Sequence, residues 1–393
     1  MTIQLQPEVL RWARERVGLS IDMLAARLAG QRVNAEVVQA WEKNGQITVR
    51  AAEKLAQVAH IPYGYLYFPK PPDERLPMQD FRTMKGAAPS RPSADLLDTI
   101  YQTQAKQEWY KEHRKEEGFL PLPWVGSIST AMKIQNAAEK IRVMLKIPSI
   151  DILHGTVDDV LNREIAHLES QGVLVMRNSI VGNNTKRKLD VQEFRGFAIA
   201  DDYSPVIFIN TRDAKTACRF TLMHELVHLC LGVSGVSNQQ MSFAPSDSKT
   251  ERFCNAVAAE LLAPEHKLRL LWGESKATTK NINSIADTFR VSFAVILYRL
   301  HDLSLINSAQ LKKMQKSLTE RQIEEKKIGG AGNMISNIIT RNSFALVAAL
   351  ITDTLNGNTP FRDAFQMLNI KKTSTFNGIV TEIEKRNRKQ SAR

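Results

Sequence analysis

Cysteine is scarce in this chain, with three residues among 393. Cys218, Cys230 and Cys254 cannot all pair within one chain, and small disulfide-stapled extracellular folds contain far more cysteine. We therefore expect free thiols in a reducing compartment, packed as small apolar residues. A redox role for Cys254 is the alternative, since it follows Glu251 by one helical turn.

Long apolar runs are also missing. The longest apolar stretch lies near residues 344–351, well below the roughly 20 residues that cross a bilayer. The first seven residues show no basic region followed by an apolar run. We therefore expect a cytoplasmic protein without membrane contact. With 43% hydrophobic and 24% charged residues, the composition is that of a folded globular protein with room for two or three domains.

The stretch 220–231 combines an HExxH motif with apolar residues and carries no other charge. On an α-helix, His224 and His228 lie on one face, so both imidazoles can bind one tetrahedral metal ion. Glu225 can then act as the base that takes a proton from water in peptide hydrolysis. The alternative is a buried amphipathic helix whose histidines form hydrogen bonds within the core. A third ligand decides between the two.

A second helical pattern, 251–262, supplies candidates for that ligand and ends before Pro264. We predict Glu251 as the third ligand. Asn255 follows one turn later on the same face, where it can accept the ring N–H of a ligating histidine. Glu260 is the rival ligand, although it does not share that face.

A resemblance follows from these segments. HELVH followed by Glu251-x-x-x-Asn255-x-x-Ala258-Ala259-x-Leu261-Leu262-x-Pro264 is similar to the ImmA/IrrE family of intracellular metallo-endopeptidases, and residues 189–201 strengthen the similarity, which extends over about 157–299. The resemblance implies a gluzincin-like site, zinc (Zn2+) as cofactor and a repressor-type protein as substrate. Asn255 stands where gluzincins more often have aspartate.

The N-terminal region predicts a compact five-helix unit. Gly18-Leu19-Ser20, Asn34 and Asn44-Gly45 supply the stops and caps. The expected helices are 8–17, 21–28, 35–43, 49–59 and a last turn at 63–68.

The pattern Arg14-Glu15-Arg16-x-Gly18-Leu19-Ser20-x-x-x-Leu24-Ala25, followed by Trp41-Glu42-Lys43-x-Gly45, resembles the Cro/C1-type (XRE) helix-turn-helix family. The resemblance implies that the second and third helices contact DNA. Gln39 suits an adenine edge, whereas Glu36 repels phosphate. Because residues 1–69 carry eight Lys and Arg against six Asp and Glu, docking to another protein is the alternative. The candidate DNA-binding residues are Arg32, Asn34, Gln39 and Lys43.

The fold class we predict is α+β and predominantly helical. The expected segments are a helix-turn-helix domain at 1–69, a linker and long helix at 70–120, a gluzincin-like zinc peptidase core at 121–270, a helix-turn-helix-like extension at 271–327 and a basic helical C-terminal unit at 328–393. The core should contain a small three-stranded sheet (173–176, 196–200 and 206–209), with the basic run 186–188 in a loop. The glycine-rich segment 329–332 should form a hinge before the C-terminal helices. His266 and Arg299 are candidates for oxyanion stabilisation or substrate contact.

The charge is uneven: the net charge is +12, and residues 309–393 hold fifteen Lys and Arg against seven Asp and Glu. This tail and the helix-turn-helix make DNA a candidate partner. The first hypothesis is a zinc endopeptidase that cleaves a repressor or antitoxin-type protein in a regulatory, stress or phage-related pathway. The alternative is a DNA-binding regulator, or a toxin–antitoxin or defence component, with a zinc site that is not proteolytic. Glu225 favours the first, because a structural zinc site needs no adjacent base.

Overall fold

A computed structural model describes residues 1–28, 33–81, 91–148, 154–237, 248–273, 277–321 and 333–391. These residues form two compact units. The first contains 1–77 and 91–100, and the second contains 78–81 and 101–391. The architecture is mixed α+β and mostly helical.

The first unit is helical, with one short strand pair. Its elements are β1 (Thr2–Gln4), α1 (Pro7–Arg16), α2 (Ile21–Leu28), α3 (Ala35–Asn44), β2 (Gln46–Thr48), α4 (Val49–Ala59) and a 3-10 turn at Tyr63–Tyr67. Asn34 caps α3 by accepting the N–H of Val37 at 2.9 Å. Gly45 ends α3 at φ 75°, and a Cβ there would lie 2.0 Å from the Leu5 carbonyl oxygen. The helices agree with the sequence pattern, while the antiparallel pairing of β1 with β2 was not expected.

Two ion-pair clusters hold the first unit together. Arg14 contacts the Glu42 carboxylate through two nitrogens, at 2.6 and 2.9 Å. Arg16 contacts Glu74 at 2.7 Å and Asp98 at 2.5 Å. The segment after residue 69, which by composition is a linker, is thus held on α1 by Glu74.

The second unit continues the chain. Its elements are β3 (Gln79–Asp80), the main part of α5 (Ala94–Glu116), α6 (Ile134–Met144), α7 (Val157–Ser170), β4 (Leu174–Asn178), β5 (Ile180–Val181), β6 (Asn184–Lys188), β7 (Gly196–Ile199), β8 (Val206–Asn210), α8 (Lys215–Leu231), β9 (Gly235–Ser237), α9 (Lys249–Leu262), α10 (Glu265–Trp272), α11 (Thr279–Phe289), α12 (Phe293–Asp302), α13 (Ser308–Arg321), α14 (Met334–Asn342), α15 (Phe344–Leu355), α16 (Phe361–Met367) and α17 (Thr373–Ser391).

The sheet is larger than the predicted three strands. Over the described residues it has five, in the order β3-β9-β7-β8-β4. The expected strands are β4, β7 and β8, and the structure adds β9 antiparallel to β7 and β3 parallel to β9. Strands of two and three residues are too short to show alternating hydrophobicity.

The basic run 186–188 was assigned to a loop, and this assignment was wrong. Those residues belong to β6, which pairs antiparallel with β5. The pairing across a short turn makes the run part of a hairpin beside the main sheet.

The core lies between the sheet and the helix pair α8 and α9. Leu222 and Leu226 from α8, Ala258 from α9 and Ile207 from β8 are all fully buried in it. Since α8 is buried on nearly every side, its pattern is that of a core helix rather than an amphipathic surface helix.

The C-terminal helices are part of the second unit. Glu169 at the end of α7 accepts hydrogen bonds from the Ser343 hydroxyl and from the Phe344 N–H at 2.9 Å, which caps α15. The expected hinge at 329–332 lies outside the described residues. Among the helices described, none alone has the length and apolarity to cross a membrane, and only α14 with α15 meets that test, as a pair bent by 101°.

Candidate metal centre

The HExxH residues lie in the buried middle of α8. His224 is 2% exposed, and Glu225 and His228 are 0% exposed. Helix α9 brings Glu251, also 0% exposed, onto the same side of α8. Buried polar groups need partners, so four such side chains in one place require an explanation.

The ligand atoms converge. The two Nε2 atoms of His224 and His228 lie 3.1 Å apart. Glu251 Oε1 lies 2.9 Å from His228 Nε2, and Glu251 Oε2 lies 3.4 Å from His224 Nε2. Ligands about 2.0–2.2 Å from a tetrahedral zinc ion lie about 3.3 Å from one another, close to this arrangement.

Hydrogen bonding within the protein does not satisfy this cluster. Both Glu251 oxygens are fully buried and, although they face the two Nε2 atoms, have no well-aligned hydrogen-bond partner among the described residues. Leaving such atoms unpaired costs about 1–3 kcal/mol each. A divalent cation held by His224, His228 and Glu251 fits this set of donors.

The pKa values of the Glu225 and Glu251 carboxyl groups are shifted in opposite directions. Burial raises the pKa of Glu225 to about 8, with Glu251 adding to the effect and His224 and Ser237 opposing it. Burial also acts to raise the pKa of Glu251, but the charges and hydrogen bonds of His224 and His228 outweigh it and bring that pKa to about 2. Glu251 is therefore ionised at neutral pH, whereas Glu225 is mostly protonated there as long as no cation is bound. A bound cation would lower the pKa of both.

Asn255 lies near the cluster, as its spacing from Glu251 predicts. It is 7% exposed on α9. Burial lowers the pKa of His224, but Glu251, Glu225 and the Asn255 side chain together raise it. The Asn255 side chain thus interacts with the His224 ring, while its role in orienting a ligating histidine stays a prediction.

Glu260 and Arg299 do not join the metal residues. The Arg299 guanidinium forms a buried ion pair with the Glu260 carboxylate. Nine residues separate Glu260 from Glu251, so the two point to opposite sides of α9. Glu260 is therefore not the third ligand, and Arg299 is not placed to stabilise an oxyanion there.

His266 also lies apart from the cluster. It is exposed on α10, beside a surface cavity of about 350 Å³ that Glu139, Arg142 and Lys267 also line. The metal cluster among the described residues consists of His224, His228 and Glu251 without it.

Three residues near the cluster were missed by sequence reasoning. Ser237 on β9 places its hydroxyl 3.3 Å from His224 Nε2. The Phe81 ring lies 5.2 Å from the His228 ring, centroid to centroid. A Cβ on Gly196 would lie 2.5 Å from Thr221 Cγ2 and 3.1 Å from Glu225 Oε1, so glycine is needed there. Gly196 falls within the segment that carries the family resemblance, but nothing in the sequence marks Ser237 or Phe81.

The DNA-binding candidates lie in the first unit. Gln39 and Lys43 are exposed on α3, as is Glu36, and Asn34 caps that helix. Arg32 lies outside the described residues. DNA contact by these residues stays a prediction.

Part of the positive charge in the basic C-terminal tail is neutralised by an ion pair. Lys385 and Arg388 are exposed on α17, whereas Arg386 forms an ion pair with Glu382 at 2.8 Å.

Residues 168–301 match the sequence model of the Peptidase_M78 family, the IrrE N-terminal-like domain. This range contains His224, Glu225, His228 and Glu251, so the metal cluster lies in a region similar to a metallopeptidase. Residues 343–382 match a second model, described as a domain of unknown function. The comparison with curated proteins gives no match.

Proposed function

We propose that this chain is a zinc-dependent endopeptidase. The observation that carries the proposal is the buried convergence of His224, His228 and Glu251 with Glu225 beside them, inside a region similar to a metallopeptidase family. In this proposal the three residues hold Zn2+, and Glu225 is the general base.

A zinc ion at this position supplies Lewis acidity, which lowers the pKa of a water molecule and polarises a carbonyl. The protein supplies the proton transfer. A Glu225 oxygen accepts the proton of the attacking water and passes it to the departing amide nitrogen. A bound cation would lower the pKa of Glu225 from about 8, so that its carboxylate is ionised and can accept a proton near neutral pH.

The number of ligands argues against a purely structural zinc site. Structural sites close all four positions with protein ligands. Among the described residues the cluster has three, and the fourth nearby group, Glu225, is adjacent to a ligand rather than part of the set. A buried carboxylate without a structural role fits catalysis better.

The proposed substrate is a repressor or antitoxin-type protein, following the family resemblance. We assign the first unit the role of docking the enzyme, through α3, to DNA or to a protein partner. This assignment rests on the helix-turn-helix pattern and on the exposure of Gln39 and Lys43.

Glu225→Gln tests the proposal. The amide keeps the shape but cannot accept the proton, so proteolysis should fall by about 100- to 10,000-fold while zinc content stays at one ion per chain. The measurement is mass spectrometry of cleaved peptides in cells producing the wild type or the variant, with metal analysis of both purified proteins.

Glu116→Gln, at an exposed site at the end of α5, is the matched control and should behave as the wild type. If Glu225→Gln cells contain the same new peptide termini as wild-type cells, the chain is not a Glu225-dependent peptidase, and the regulator hypothesis takes its place.

A further inference from the structure

The outer edge of β9 is paired with a segment that comes from far upstream in the chain. Gln79 and Asp80 run parallel to Gly235 and Val236, and the Phe81 N–H donates to the Val236 carbonyl at 3.0 Å. An extended segment that adds to a sheet edge is the way many proteins bind peptides.

The Phe81 side chain fills a slot formed by Gly235 and His228. Its ring lies 5.2 Å from the His228 ring with 30° between the planes. A Cβ on Gly235 would lie 2.3 Å from Phe81 Cε2. The backbone of Gly235 is not left-handed, unlike that of Gly232 at φ 70°. Gly235 is therefore required for the space it leaves above β9.

This slot lies next to the proposed metal ligands His224, His228 and Glu251. His228, under the Phe81 ring, contacts Glu251 at 2.9 Å. Ser237, two residues after Gly235 on the same strand, lies 3.3 Å from His224 Nε2. Since the metal residues are at most 2% exposed, a substrate can reach them only if part of their cover moves, and Phe81 belongs to that cover.

The three residues of the segment contribute unequally. Gln79 and Asp80 are exposed, while Phe81 is half-buried. Main-chain hydrogen bonds do not depend on side-chain identity, so recognition by this edge depends mainly on the ring in the slot.

We propose that the outer edge of β9, with the slot over Gly235 and His228, is a binding site for an extended peptide segment with an aromatic side chain, and that residues 79–81 occupy it as an internal competitor. The proposal rests on the proposed endopeptidase function, because it names the substrate class and the regulation of that same site. A tethered competitor has an effective concentration of about millimolar, so external peptides bind only weakly until it leaves.

The test uses the full chain with Glu225→Gln, so that the probe is not cleaved. A fluorescein-labelled peptide with the sequence of residues 76–81 is titrated, and fluorescence anisotropy reports binding. Phe81→Ala in the protein should strengthen binding about tenfold or more, because the slot is then free. Gln79→Ala, an exposed change on the same strand, should leave binding as in the unmodified chain. A probe with alanine in place of its phenylalanine should not bind.

Gly235→Ala distinguishes binding of an aromatic ring in the slot from easier access to the edge of β9 after the Phe81 ring is displaced. This change expels the Phe81 ring but fills the slot with a methyl group, so it should not strengthen binding. Equal affinity of the Phe81→Ala and unmodified chains, or tight binding to Gly235→Ala, would overturn the proposal. Since binding is measured without turnover, a chain that binds the probe as expected yet shows no Glu225-dependent cleavage leaves this site standing and refutes the peptidase.

Discussion

The metal cluster between α8 and α9 and the exposed face of α3 contrast in how they carry polar side chains. At the metal cluster, His224, His228 and Glu251 converge on a common point with Glu225 beside them, and all four side chains are at most 2% exposed. On α3, Gln39, Lys43 and Glu36 are exposed to water. A buried polar group without a partner costs free energy and therefore needs an explanation, whereas a solvated group needs none.

Buried polar groups within the first unit refine this contrast. Arg16 is buried and contacts Glu74 and Asp98, and the half-buried Arg14 contacts the buried Glu42. These charges are matched inside the protein, so their burial needs no ligand. Burial combined with convergence on a point without an internal partner is therefore what marks the functional region.

The strongest way to break the contrast is to remove Glu251. Glu251→Ala takes away one ligand atom and the negative charge between the two histidines, so the chain should lose most of its zinc. The zinc content found by metal analysis should fall from about one ion per chain towards zero. Glu260→Gln, which keeps an acceptor for the buried Arg299, is the comparison variant and should retain zinc. Undiminished zinc content in Glu251→Ala would overturn the assignment of Glu251 as a ligand.

Lys106, away from the metal cluster, is a buried ammonium group that should lower the free energy of unfolding. Burial lowers its pKa from 10.5 to about 8. Between those two pH values the unfolded chain binds more protons than the folded one, so the free energy of unfolding should rise with pH, by about 3 kcal/mol in total.

Lys106→Met removes this pH-dependent contribution to the free energy of unfolding. The variant should be more stable than the wild type at pH 7, and the difference should shrink as the pH rises from 8 to 10.5. Urea unfolding of both proteins across this range measures it. A stability difference that does not vary with pH would show that Lys106 is not a buried ammonium group.

Asn255 tests how far the metal region extends beyond its ligands. Asn255→Ala should weaken zinc binding about 10- to 100-fold, because the His224 ring loses an orienting partner. Competition with a chelator measures the affinity. Asn162→Ala, at an exposed site on α7, should change nothing. Unchanged affinity in Asn255→Ala would confine the metal site to its three ligands.

The last expected effect is on α3 and is confined to one class of DNA sequence. If this helix reads DNA, Gln39→Ala should cost about 1–3 kcal/mol on the preferred sequence and nothing on unrelated DNA. Binding assays at several salt concentrations separate this specific term from phosphate contacts. A chain that binds no DNA even at low salt would instead make the first unit a protein-docking module.

Local sequence patterns predicted α9 and the helices of the first unit with ends within about two residues, because caps and 3.6-residue periodicity act within one helix. Helix α8, in contrast, begins five residues before the predicted stretch 220–231. Local sequence patterns predicted the strands of the sheet less well than the helices. Strands β3 and β9 have two and three residues and pair across more than 150 positions, and no local pattern encodes such a contact.

The sequence alone determined which residues could meet on one helix face. The i, i+4 spacing places His224 beside His228, and the same spacing places Asn255 one turn after Glu251. Only the tertiary structure decided the rest. It turned Glu260 towards Arg299, brought α9 against α8 so that Glu251 reaches both histidines, and laid Phe81 over His228 through the space that Gly235 leaves. These outcomes depend on which distant segments pack together, and packing is decided by the whole core rather than by any one segment of the chain.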